Sequence, residues 1–239
     1  GKTAKAAYKE TASKVRGISG ALFAKELARF TGSPNYMLNC GLGVLLLPVC
    51  GVVILIKGAA VTGALNAAFA GKPGCTAVLM CAAVCMLASM NDMAAPSVSL
   101  EGKNLWLAQS LPILPWQALA AKLRLQIALT SVPTLICAIC VAAVSGGTAV
   151  EAVLFVVCAV LFTVMMAAFG LFLGIKMPNL NWTNEIMPIK QSAGVMFALL
   201  GGWAYSAALA GLFLWIGWRM GAAAYLAAAA AVTGLLFAA

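Results

Sequence analysis

Histidine is missing from all 239 residues, and carboxylates are scarce: Glu10, Glu26, Asp92, Glu101, Glu151 and Glu185 are the whole set. Without histidine there is no Ser-His or Cys-His nucleophile pair, no HExxH metal site and no imidazole proton relay. The six carboxylates are scattered, and none pairs with another at helical spacing, as two-carboxylate acid–base chemistry would require. Phosphate-binding loops fail as well. Gly71-Lys72 and Gly102-Lys103 have Asn66 and Ser97 where such a loop needs its earlier glycine. Gly1-Lys2-Thr3 resembles the tail of one but leads into polar, lysine-rich chain. The chain is expected to be no enzyme, to hold no cofactor or metal, and not to hydrolyse ATP itself.

Charge of either sign is also thin, at 9% of residues against 64% hydrophobic, with a mean hydropathy of +1.02. Soluble domains carry about 25% charged residues. A water-soluble fold of this length could not cover its surface with the polar side chains available, so lipid is the expected outer solvent. Crossing ~30 Å of hydrocarbon at 1.5 Å per residue takes about 20 apolar residues in a helix. The runs that approach this are Tyr36–Ile56, Cys75–Met90, Ile127–Val144, Ala149–Ile175, Val195–Ile216 and Ala222–Ala239. They lack the alternation of a membrane barrel. The expected fold is all-α: a polytopic membrane bundle of about six transmembrane helices, preceded by an interfacial amphipathic helix.

Net charge is +9, but the basic residues gather at span ends and in the leading segment, which suits an anionic membrane surface rather than nucleic acid. With the N-terminus on the cytoplasmic side, twelve of the fifteen Lys and Arg fall inside, leaving Lys57, Lys72 and Arg219 outside. The positive-inside rule fixes that orientation. Residues 1–17 read as a basic cytoplasmic linker within a longer protein, 18–33 as an elbow helix, and 34–239 as the bundle. No ionisable residue is expected near mid-span, because Lys57, Glu151 and Lys176 all fall at span ends.

The eight cysteines lie in or beside apolar runs, including the CxxC pair Cys137 and Cys140, and read as small hydrophobes. Gly170-Leu-Phe-Leu-Gly174 has the spacing that lets helices approach closely, whereas Gly217 and Gly221 straddle a loop and read as turn residues.

Three polar segments stand on the cytoplasmic side. In Ile18–Ser33, residues Ile18, Leu22, Leu27 and Phe30 share a broad face with Lys25, Glu26 and Arg29 beside it, as in a helix lying flat on headgroups. A snorkelling extension of the first span is the plainer alternative. Ala95–Gln117 is long for a connector and holds Glu101, Lys103, Trp106 and Trp116. It reads either as a docking element or as interfacial anchoring. Lys176–Gln191 carries Trp182, Glu185 and Lys190, with a glycosylation sequon at Asn181-Trp-Thr183 that would go unused inside.

The stretches LFAKELARFTGSPNYMLNCGLG, SVSLEGKNLWLAQSLPI and MPNLNWTNEIMPIKQS together resemble the membrane-spanning (permease) subunits of bacterial ABC exporters. The chain looks like the C-terminal half of such a subunit. The resemblance implies a multi-pass protein of the bacterial cytoplasmic membrane that forms a translocation path. Its partners would be a separate ABC-type ATPase, with ATP bound there, and either an N-terminal permease half or a second copy. It also implies that Ser99, Glu101, Gly102, Lys103 and Trp106 form the ATPase-coupling loop. Lys25, Glu26 and Arg29 would belong to the elbow helix, and Asn181, Trp182, Asn184, Glu185 and Lys190 to a second cytoplasmic loop. The readings that compete are a self-sufficient secondary carrier or channel, and a membrane scaffold that transports nothing.

Overall fold

The computed structural model describes residues 17–238, so nearly all of the expected linker 1–17 lies outside the described residues. Within them the chain forms eleven α-helices and no strand: α1 Ile18–Gly32, α2 Pro34–Cys40, α3 Leu42–Ala68, α4 Cys75–Ala88, α5 Ala94–Ser99, α6 Leu105–Ser110, α7 Pro115–Val144, α8 Ala149–Lys176, α9 Ile186–Lys190, α10 Ala193–Trp215 and α11 Ala222–Ala238. Four segments are long and apolar enough to cross a membrane: α3, α7, α8 and the α9–α10 stretch Ile186–Trp215. The apolar helices α4 and α11 are shorter, at 14 and 17 residues.

The long helices run up and down between two ends. Gly43 at the start of α3 lies against Asn91, Gly58 further along it meets Val144 at the end of α7, and Gly174 near the end of α8 returns to Ala95. Helices α3 and α7 are therefore parallel neighbours. Gly43, Gly51 and Gly58 line the buried stripe of α3. A Cβ at Gly51 would sit 3.1 Å from the Cys137 Cα, so glycine there is what lets the two backbones approach.

One apolar core fills the bundle, with Cys81, Phe155, Phe162, Phe213 and Leu226 fully buried among its members. Cys75, Cys85, Cys137 and Cys158 pack in the same core, and all eight cysteines are free thiols. Outside this core the helices turn bare aliphatic surface outward: Leu45 and Ile56 on α3 are each 72% exposed. In water such a surface would be an aggregation hazard, and in hydrocarbon it is the natural exterior.

Three boundaries differ from the hydropathy reading. The first span was expected over Tyr36–Ile56, but Tyr36 sits in the separate helix α2, whose N-cap Ser33 accepts from the Tyr36 N–H at 3.3 Å. The chain then steps through Gly41, where the Phe30 ring occupies the place a Cβ would need, and α3 runs on past Lys57 to Ala68. Lys57 is exposed on the helix rather than ending it; a hydropathy count stops at a charge, and a helix need not. Helix α7 begins twelve residues before Ile127, with Pro115 in its first turn and the Gln117 Oε1 accepting from the Leu114 N–H at 3.1 Å. Lys122 and Arg124 are therefore helical, not loop residues. The segment Ala95–Gln117 is built from α5, a 3-10 turn at Gly102–Asn104 and α6.

Candidate functional site

Charge concentrates at one end of the bundle, where α1 lies across α7. Positions 25, 26 and 29 of a helix share one side, and α1 turns that side toward the start of α7. Glu26 is 4% exposed and Lys122, opposite it on α7, 5%. The Lys122 Nζ donates to Glu26 Oε1 at 3.0 Å, to Glu101 Oε1 at 2.8 Å and to the Ser97 carbonyl at 3.2 Å. Glu101, 6% exposed, also receives both guanidinium nitrogens of Arg29, at 2.9 and 2.8 Å, and the Lys25 Nζ at 3.2 Å. One carboxylate thus gathers three cations from two helices, and each buried charge of this cluster has a partner.

Burial alone pushes the Glu101 carboxyl up, but the Arg29 hydrogen bonds and the Lys122 charge outweigh it and hold the group well below the usual carboxylate range. The Arg29 guanidinium loses some hydration by burial, and the two glutamates more than compensate, raising it. The forked Arg29–Glu101 pair fixes geometry as well as charge.

The loop after α8 closes over the same place. The Trp182 indole N–H donates to the Ser99 carbonyl at 2.7 Å, and the Ser99 hydroxyl accepts from the Asn179 N–H at 2.9 Å. Gly102 lies directly beneath the indole with φ at +52°, and a Cβ there would come within 3.1 Å of the ring. Both the backbone conformation and the close approach select glycine. Ser33, between α1 and α2, donates to Glu185 at 2.9 Å. A small apolar core of Phe30, Tyr36, Cys40, Met93, Leu125 and Ile189 lies below.

The residues singled out by sequence therefore divide. Lys25, Glu26, Arg29, Ser99, Glu101, Gly102, Trp182 and Glu185 come together. Trp106 stands away from them at 65% exposure, Asn181 and Lys190 are exposed, and Asn184 accepts from its own Ile186 N–H at 3.1 Å. Lys103 belongs to the turn Gly102–Asn104; its side chain lies outside the described residues. Two expectations need correction. Glu26 and Arg29, expected beside the apolar face of a helix lying flat in the interface, are turned inward and pair with Lys122 and Glu101. Glu101, expected in a docking element or an interfacial anchor, is buried among three cations, and Trp106 is the exposed group of that segment.

Lys122 was missed as a site residue. The available signal was its position among polar turns ahead of an apolar run. The residues between α4 and α5 were missed too. There the Gln126 Oε1 accepts from the Ala94 N–H at 2.6 Å, its Nε2 donates to the Asn91 carbonyl at 3.0 Å, and the Tyr36 hydroxyl donates to the Met93 carbonyl at 2.6 Å.

No nucleophile is paired with a base in this arrangement. Glu101 ties the segment that follows α5 to α1 and to α7 at once, through Arg29 and Lys122. No family model matches the chain, and neither does any curated protein or solved structure.

Proposed function

We propose that the chain is the transmembrane subunit, or half-subunit, of an ATP-driven exporter of the ABC type. In this reading six helices (α3, α4, α7, α8, α10 and α11) cross the bacterial cytoplasmic membrane, and the N-terminus and charged end face the cytoplasm. The end built from α1, the Ser99–Trp106 segment and the Lys176–Gln191 loop docks a separate ATPase, which supplies ATP hydrolysis. An N-terminal permease half or a second copy completes the translocation path.

One observation carries the reading. The three segments whose sequences resemble the exporter permeases are far apart in the chain, yet they meet at one end of the bundle, through Arg29–Glu101 and Trp182–Ser99. A platform of this kind suits a partner that pushes. Its interior is a closed ion network that would transmit displacement, and its outward side offers Trp106, the kind of aromatic anchor on which interfaces concentrate energy.

The test is copurification from native membranes. The unaltered chain is expected to bring down a soluble ATP-binding subunit, and Trp106→Ala is expected to weaken that association at least tenfold while the bundle's unfolding temperature stays unchanged. Purification without any ATP-binding protein, combined with solute uptake into liposomes driven by an ion gradient alone, would replace this reading with a self-sufficient carrier.

A further inference from the structure

Between α4 and α5 the helix is interrupted at residues 89–93, and this break is pressed among α2, α3, α7 and α8. Asn91 is 2% exposed and Asp92 5%. Each fits against a glycine of a neighbouring helix: a Cβ at Gly43 would strike the Asn91 amide, and one at Gly170 would strike the Asp92 carboxyl. The Asp92 Oδ1 accepts from the Ala95 N–H at 3.1 Å. The other oxygen, Oδ2, is buried without a partner, as are both polar atoms of the Asn91 amide.

What faces this carboxyl is almost entirely neutral. From α2 come the Cys40 thiol and the Tyr36 phenol, the latter spent on the Met93 carbonyl. From α7 comes Gln126, spent on Ala94 and Asn91. From α8 there is Gly170, from α3 Gly43 by way of Asn91, and α10 contains no charged residue. The one acidic neighbour on α1, Glu26, is tied to Lys122 and Arg29. Of the basic side chains described at this end, Lys25, Arg29 and Lys122 are taken by Glu26 and Glu101, Arg124 donates to the Ser19 hydroxyl, and Lys176 and Lys190 are exposed.

A buried carboxylate with no cation, and with one oxygen bare of donors, is among the costliest groups a protein can hold. Two ligands would relieve it: a metal cation or a proton. A multivalent cation wants several charged ligands, and among the described residues no three His, Cys, Asp or Glu side chains converge; a monovalent cation shared with the bare Asn91 Oδ1 is the competing occupant that the test below distinguishes. A proton needs one oxygen only.

We propose that Asp92 is a proton-binding site, its Oδ2 taking up one hydron from the water at the charged end while α5 is seated on Gly170 and Gly174. Uptake adds one O–H bond and cancels one buried negative charge. Release restores the charge and requires water to enter between α5 and α8. Because α5 leads directly into the Ser99–Glu101 segment, the protonation state of Asp92 bears on the packing beneath the ion cluster. The environment agrees: burial pushes the Asp92 carboxyl up to about 7, with the Ala95 and Ala94 N–H groups only partly opposing it.

Asp92 is the only aspartate in the chain, so the test needs no variant. The full chain, with carbon-13 at the aspartate side-chain carboxyl and held in lipid nanodiscs, gives one such signal to follow by NMR. It is expected to titrate with a midpoint at about 7, against about 3.9 for a free aspartate, and to be unmoved when potassium replaces sodium. A midpoint at the free-aspartate value would overturn the proposal, as would one that moves with sodium concentration and so reports a cation site. Either failure concerns α4, α5 and α8 only, and leaves ATPase docking through Trp106 to its own test.

Discussion

Glu101 takes hydrogen bonds from Arg29, Lys25 and Lys122, and this makes it the residue on which the charged end depends. Removing one member of a buried ion network strands the others, at a cost of about 3–5 kcal/mol. Glu101→Ala is therefore expected to destabilise the detergent-solubilised protein by that order. Arg29→Ala added to it should cost clearly less than the sum of the two single changes, because each removes the same forked pair. Denaturant unfolding of the four proteins measures the coupling, and strict additivity would deny it. The same carboxylate sets an acid limit. Its proton affinity is lowered by folding, so its contribution is complete above the ordinary glutamate pKa of about 4.3 and is lost as pH falls below that value. Stability measured down through that range should fall in the unaltered chain and stay nearly level in Glu101→Gln. From sequence, Glu101 was legible as a candidate, but its partners were not. Its neighbours in the chain are Gly102 and Lys103, and nothing local says that its partners sit 72 and 21 positions away.

At the scale of helices, hydropathy was a sound guide wherever an apolar run and a helix end together. Helices α8, α10 and α11 lie within a residue or two of expectation, because Thr148, Ser192 and Gly221 stop the run and the helix at once. It failed for the first turns of α7, which are polar yet helical, and it gave no sign of the short helix α5 that follows the span ending at Met90. The spacing Gly170-x-x-x-Gly174 was legible, and its use is specific: α8 presents both glycines to the break and to α5. Gly174→Ala would drive a methyl into the Ala95 carbonyl oxygen, so α5 must back away, at about 1–3 kcal/mol by analogy with overpacked cores. Gly63 on α3 has open space around it, and Gly63→Ala should leave stability unchanged or slightly raised. Thermal unfolding of the two variants side by side checks the contrast. Equal losses would mean that the close approach at Gly174 carries no weight.

Over the whole molecule, lipid explains what the isolated bundle leaves bare, and the charge distribution gives the bundle two unlike ends. Lys25, Arg29 and Lys122 serve the network at one end. At the other, Lys72 donates to the Leu214 carbonyl at 2.6 Å and Arg219 leans on the Trp218 ring. The central claim is that the first of these ends faces the cytoplasm and receives an ATPase. Site-specific photocrosslinking from position 106 in intact cells tests it most directly, with position 219 at the opposite end as the control. The account predicts an adduct with an ATP-binding subunit from 106 and none from 219. Adducts from 106 only with lipid or with proteins outside the cytoplasm would contradict it.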